Sequence, residues 1–188
     1  RTTLTGEGLQ HADGHSPLIA STNNAVISYD PAYGYEIAHI VKHGIDRMYG
    51  GQHQDPNCIY YLTVYNEPYV QPAEPEGVDV EGIVRGIHLV SRNESEGRKA
   101  QILASGVAVP WAYEAQQLLQ NDWGVSADIW SVTSWSELRR DGLLRDEAKF
   151  LNPSYEIPDA YLTAKLKNAP GPFLGVSDYM HAVQDQIR

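Results

Sequence analysis

The sequence predicts an α/β protein made of two pieces, each with parallel strands joined through helices. Three observations carry this. Short β-branched and aromatic runs alternate with segments of helical period along most of the chain. A proline-rich acidic stretch over residues 68–82 separates the two series. Hydrophobic residues make up 42% and charged residues 20%, a balance that supports a packed core rather than disorder.

Residues 1–24 are rich in Gly, Thr, Ser, Asn and His and have no sustained period, so a long loop with one turn of helix is expected. Residues 25–29 (AVISY), bounded by Asn23-Asn24 and Asp30-Pro31, read as a buried strand. In residues 32–49, Ile37, Val41, Ile45 and Met48 recur at helical spacing and form the expected buried stripe. Asp30 is the candidate N-cap, Pro31 a first-turn residue, and Gly50-Gly51 the stop. Residues 58–65 (CIYYLTVY) read as a second strand, which makes a βαβ unit with a right-handed crossover.

The acidic stretch reads as a stiff connector, with a domain boundary near residue 72. Residues 82–90 (GIVRGIHLV) alternate and predict a strand, and residues 92–98 a charged turn. Strands are then expected at 100–105, 128–133 and 173–177, with helices over 110–122, 135–150, 158–168 and 179–187. Three strands alternating with helices predict a small flavodoxin-like parallel sheet.

Composition excludes several functions. The chain has 188 residues, and 14 Lys+Arg against 24 Asp+Glu give a net charge of −10. That charge argues against nucleic acid and anionic membranes as partners, since both require a positive surface. No apolar run approaches the roughly 20 residues that span a bilayer. The single cysteine, Cys58, excludes an internal disulfide framework and suits a reducing compartment. It opens an apolar strand and reads as inert core. The first residues lack a signal pattern and an initiator Met, so the chain is expected to be part of something longer.

The densest functional groups lie in the first 16 residues: Glu7, Gln10, His11, Asp13, His15 and Ser16, interrupted by Gly6, Gly8 and Gly14. Histidine is the side chain most ready to exchange protons near neutral pH, and a carboxylate beside it fixes its tautomer. Glu7, His11 and His15 are spaced by four, so one continuous helix would align them. A solvated loop with accidental polar residues is the plain alternative. Gly6 and Gly8 supply two glycines of a dinucleotide fingerprint, but His11 stands in place of the third. His39 and His43, with Glu36, offer half a zinc site, or else surface histidines on a polar helix face. Tyr29, Tyr33, Tyr35, Tyr60, Tyr61, Tyr65 and Tyr69 line a pocket or, more simply, build core and interface.

The stretch Thr5-Gly6-Glu7-Gly8-Leu9-Gln10-His11, with Asp13-Gly14-His15-Ser16, resembles the homodimeric-type pyruvate dehydrogenase E1 component family. So do Ile27-Ser28-Tyr29-Asp30-Pro31-Ala32-Tyr33, Tyr65-Asn66-Glu67-Pro68-Tyr69, Pro75-Glu76-Gly77, Ser131-Val132-Thr133-Ser134 and Ser177-Asp178-Tyr179-Met180. The resemblance implies that residues 1–72 are the back half of a pyrimidine-type thiamin-diphosphate domain. Residues 73–188 would then be most of a transketolase C-terminal-like domain, truncated at its end.

The resemblance also implies a reaction: oxidative decarboxylation of pyruvate on thiamin diphosphate with Mg²⁺, and reductive acetylation of a lipoyl group on the E2 acyltransferase. A homodimer and a cytoplasmic location follow from the same likeness. It gives active-site roles to Glu7 and His11 and places His15 behind them. The family's diphosphate and metal anchors, and the glutamate that activates the pyrimidine ring, belong to polypeptide outside these residues. The chain alone is therefore expected to be inactive, with no metal ligands and no cofactor-binding residues assigned within it. The alternatives are a non-catalytic interaction or dimerisation module, and an E1 of another 2-oxo acid dehydrogenase.

Overall fold

The computed structural model describes residues 8–50 and 54–187. A 3-10 turn, Leu9–His11, and helix α1, Ser16–Ala20, lead into strand β1, Val26–Tyr29. Helix α2, Gly34–Tyr49, crosses to strand β2, Ile59–Leu62, which pairs parallel with β1 from Val26↔Ile59 to Tyr29↔Leu62. This is the βαβ unit expected from the sequence.

Helix α2 buries a different face from the predicted one. Glu36, Ile40 and Gly44 point inward, while Val41 and Ile45 are 43% and 53% exposed. Two contacts rotate the helix. The Tyr60 ring of β2 lies flat against Gly44, where a Cβ would come within 3.1 Å of it. The Glu36 carboxylate is drawn under the second sheet. Tyr33 is the N-cap residue, not Asp30, and the Glu36 Oε2 atom accepts from the Ala32 and Tyr33 N–H groups at 2.6 and 3.0 Å.

Residues 63–79 run extended and exposed for most of their length, consistent with the expected connector, but they are fastened along the way. Tyr69 donates to Ala32 O, and Gln71 Oε1 accepts from Gly34 N at 2.9 Å. The strand expected over 82–90 is instead a short helix followed by a strand. Helix α3, Val80–Arg85, starts where Asp79 accepts from Gly82 N and ends at Gly86, with φ +110°. Glycine tolerates that conformation, and a Cβ there would crowd Ser134 O. Strand β3, His88–Ser91, follows.

Strand β4, Arg98–Ala104, helix α4, Ala108–Trp123, and strand β5, Val125–Ser131, form the second parallel crossover. Helix α5, Trp135–Leu151, helix α6, Tyr161–Leu166, strand β6, Phe173–Val176, and helix α7, His181–Gln184, complete the described chain with a 3-10 turn, Asp185–Ile187. The sheet order is β3-β5-β4-β6. The pairs β4–β5 and β4–β6 are parallel, but β3 is antiparallel to β5. The three strands expected to form a parallel sheet do so, and β3 adds an antiparallel edge to them. The reason is that α3 ends at Gly86 and delivers β3 to the outer side of β5.

Strand alternation decides both faces. Ile102, Ala104, Ala127 and Ile129 face α4 and pack with Ala108, Val109 and Ala112. Leu103, Trp130 and Val132 face Ile87, Trp135, Leu138, Tyr179 and Val183. Ala32 and Tyr33, just after β1, join the first of these clusters, while Ile27 and Tyr29 of β1 form a third with Ile40, Cys58 and Ile83. Most of the tyrosines build core and interface: Tyr29 and Tyr33 are 2% and 7% exposed, and Tyr29 stacks on Tyr60 with ring centroids 6.0 Å apart. Cys58 is buried, and its thiol donates to Asp55 O at 3.2 Å. Among the described residues no helix is long and apolar enough to cross a membrane.

Candidate active site

The histidine-bearing segment is a 3-10 turn, a bend and then α1, not one helix. His11 closes the turn, with its N–H donating to Gly8 O at 2.9 Å. Asp13 Oδ1 then accepts from His15 N and Ser16 N, both at 3.0 Å, and starts α1. His11 and His15 therefore do not share one helix face, because residues 12–15 leave the helical path. Both His11 and His15 are exposed. Glu7 lies outside the described residues.

The carboxyl ends of four strands, a parallel pair from each sheet, meet around one carboxylate. Asp30 follows β1, Thr63 follows β2, Ser105 follows β4 and Ser177 follows β6. Asp30 is 4% exposed and accepts from Thr63 Oγ1, Tyr65 Oη at 2.6 Å and Ser105 Oγ at 2.8 Å. Ser105 Oγ is also 3.2 Å from Ser177 Oγ, which accepts from Tyr179 N at 3.2 Å. Each hydroxyl carries one proton. Ser105 therefore donates to Asp30 at 2.8 Å or to Ser177 at 3.2 Å, one at a time. The backbone continues the connection: Asp30 N donates to Thr133 O, and Gly106 N donates to Asp30 O. Gly106 has φ +52°, and a Cβ there would collide with the Tyr65 hydroxyl.

A second buried group joins the sheets. Glu36 and His88 are 0% and 1% exposed, with His88 Nε2 2.7 Å from Glu36 Oε1. Ser131 Oγ donates to the same oxygen at 2.7 Å. With the two N–H donors on Oε2, every contact of this carboxylate is a hydrogen bond from protein. That is how a buried polar group is tolerated.

The sequence pointed to neither junction. Asp30 reads as a helix cap, Glu36 as a member of the polar face of α2, and His88 as an isolated histidine. One signal was available: Asp30, Thr63, Ser105 and Ser177 each stand directly after a β-run, and the carboxyl ends of parallel strands are where functional groups gather in α/β folds.

The proposed half zinc site does not form. His39 Nε2 is 3.1 Å from Glu74 Oε1, His43 Nδ1 is 2.9 Å from Tyr60 Oη, and Glu36 is turned inward. Burial holds the His43 imidazole below the usual histidine range, with Arg47 adding to that. Neither histidine is a bare surface group, since both are half-buried and partnered. Among the described residues no three His, Cys, Asp or Glu side chains come together as a metal site.

The comparisons with known proteins fit this arrangement. Residues 1–72 match the family described as the pyruvate dehydrogenase E1 component middle domain. Residues 86–188 match the transketolase-like C-terminal domain family. By this second match, over more than half of its length, the chain belongs to the transketolase-like C-terminal domain family. It is 56% identical over its whole length to the pyruvate dehydrogenase E1 component of Corynebacterium glutamicum, of which it covers 20%. It is 55% identical to the same component of Mycolicibacterium smegmatis and 44% to that of Escherichia coli, again over its whole length. It thus spans about a fifth of the length of the curated relatives it matches. A transketolase from Pichia stipitis superposes with a TM-score of 0.53 at 16% identity, covering 89% of this chain and 23% of that one. That likeness concerns the fold alone.

Proposed function

We propose that this chain is the His11-bearing part of a thiamin-diphosphate-dependent pyruvate dehydrogenase E1 component. In that reading, residues 1–72 belong to the pyrimidine-type domain and residues 73–188 to the C-terminal domain. The observation that carries it is the likeness along the whole of both pieces to relatives of that name, together with an exposed imidazole on the turn where the family's motif stands. The complete enzyme would be a cytoplasmic homodimer taking pyruvate and serving the lipoyl domain of an E2 acyltransferase.

The residues of this chain fit the reacting end of the cofactor and not its metal-bound end. His11 is exposed and able to donate or accept, whereas no three metal ligands converge among the described residues. The Mg²⁺ and diphosphate anchors would come from other polypeptide. When bound, thiamin diphosphate supplies the cationic ring that accepts the electrons released as carbon dioxide leaves.

The chain's own part is to hold protons and orient groups. His11 would donate to an oxygen of the substrate and return the proton during transfer to the lipoyl sulfur. Glu7 would hold the His11 ring or a group beside the cofactor, and His15 would support the turn from behind.

The test is acetylation of a lipoyl domain by the complete enzyme supplied with pyruvate or with longer and branched 2-oxo acids. Transfer from pyruvate at a rate well above the others supports the reading. Preference for another 2-oxo acid overturns the substrate, and no transfer from any of them overturns the activity.

A further inference from the structure

We propose that the turn from Ser177 to Met180 is a positioning element for the His11 loop, acting through the hydrogen bond from Met180 N–H to Gly14 O. This inference rests on the reading of His11 given above and adds a role for the second sheet. The bond is 3.1 Å long and lands three residues after His11. It is a long-range main-chain link between the histidine loop and the second sheet, whereas the bonds at His11 N and Asp13 Oδ1 are local.

The turn itself is rigidly held. Ser177 Oγ accepts from Tyr179 N and is joined through Ser105 to Asp30. Tyr179 and Val183 are 4% and 0% exposed in the core under α5, and Leu18 of α1 packs against that same cluster. The carboxyl end of β6 thereby fixes both the start of α7 and the loop beyond Gly14. A shift at Asp30, where the two sheets meet, would be passed to His11 through Ser105, Ser177 and Met180. Reacting groups held about 3 Å apart lose on the order of a hundredfold in rate for a displacement of about 1 Å, so such a link has consequences for turnover.

Met180 allows a clean test because only its N–H matters. Its backbone sits at φ −61°, ψ 154°, and φ is the value proline takes; its side chain is 38% exposed. Met180→Pro in the complete enzyme removes the donor together with the Met side chain, and Met180→Leu changes the side chain while retaining the donor.

Three measurements are compared with those of His11→Ala: kcat and KM for pyruvate, the melting temperature, and hydrogen exchange over residues 8–16. The expected result for Met180→Pro is a fall in kcat of about tenfold to a hundredfold. KM and melting temperature should stay close to wild type, and exchange in the loop should quicken. Met180→Leu should restore the rate. Should Met180→Pro fail to fold, Ser177→Ala loosens the turn by removing the acceptor of Tyr179 N–H while keeping the Met180 donor. Quicker exchange over residues 8–16 with a lower kcat then supports the proposal, and wild-type values of both overturn it. Wild-type kcat in the folded variant, with His11→Ala impaired, overturns the positioning role and leaves the reading of His11 standing. Wild-type kcat in His11→Ala overturns that reading instead.

Discussion

Replacing His11 by alanine in the complete enzyme is expected to lower acetyl transfer from pyruvate to lipoyl by about a hundredfold to ten-thousandfold, the range for losing a positioned proton donor. In barrier terms that is about 3–5 kcal/mol. The fold should not register the change. The side chain is exposed, and alanine keeps the N–H that bonds to Gly8 O. Exposed substitutions of this kind usually alter stability by no more than about 0.5 kcal/mol. A large loss of rate at an unchanged melting temperature would therefore be a loss of chemistry. His11→Gln gives a second reading of the same point, because an amide donates a hydrogen bond but does not exchange a proton near neutral pH. If the imidazole moves a proton, His11→Gln should resemble alanine. A glutamine variant as active as wild type would show that the side chain acts only as a hydrogen-bond donor.

The second large effect concerns folding. Glu36→Ala should destabilise the protein by about 3–5 kcal/mol, since each buried donor left without its acceptor costs about 1–3 kcal/mol. The variant strands four donors where water does not reach: Ala32 N, Tyr33 N, Ser131 Oγ and the His88 imidazole. Against a total stability of about 5–15 kcal/mol for a domain, that is a large fraction. Glu36→Gln should cost less. Its carbonyl oxygen can still cap α2, and its amide can donate to His88 in the other tautomer. Urea unfolding of the three proteins measures this. A Glu36→Ala variant within about 1 kcal/mol of wild type would mean that the junction contributes little to holding the two sheets together.

The sequence exposed those features of the fold that depend on local pattern. The run Ala25 to Tyr29, the stop at Gly50 and the βαβ order are visible because strands and helices of this length carry their own periodicity. What depends on contact across the chain was hidden. Nothing in the spacing of α2 reveals that Tyr60 will lie on Gly44 and turn Val41 and Ile45 outward. Nothing in GIVRGIHLV separates an alternating strand from a helix capped by Asp79 and closed by Gly86.

The same division runs through the candidate site. His11 and Glu7 stand out because glycines and titratable groups crowd into one stretch. Asp30, Ser105 and Ser177 do not, since they meet only when the carboxyl ends of β1, β4 and β6 converge. Met180 offers no functional side chain at all, because its contribution is a backbone N–H.

The central claim is that the imidazole near the start of this chain faces the reacting carbon of a thiamin-bound substrate. The most direct measurement is a crystal structure of the complete enzyme with thiamin diphosphate and a phosphonate analogue of pyruvate bound. An His11 nitrogen within about 3 Å of an oxygen of that ligand is the predicted result. A His11 ring turned to solvent, with the ligand enclosed by other polypeptide, would contradict the claim.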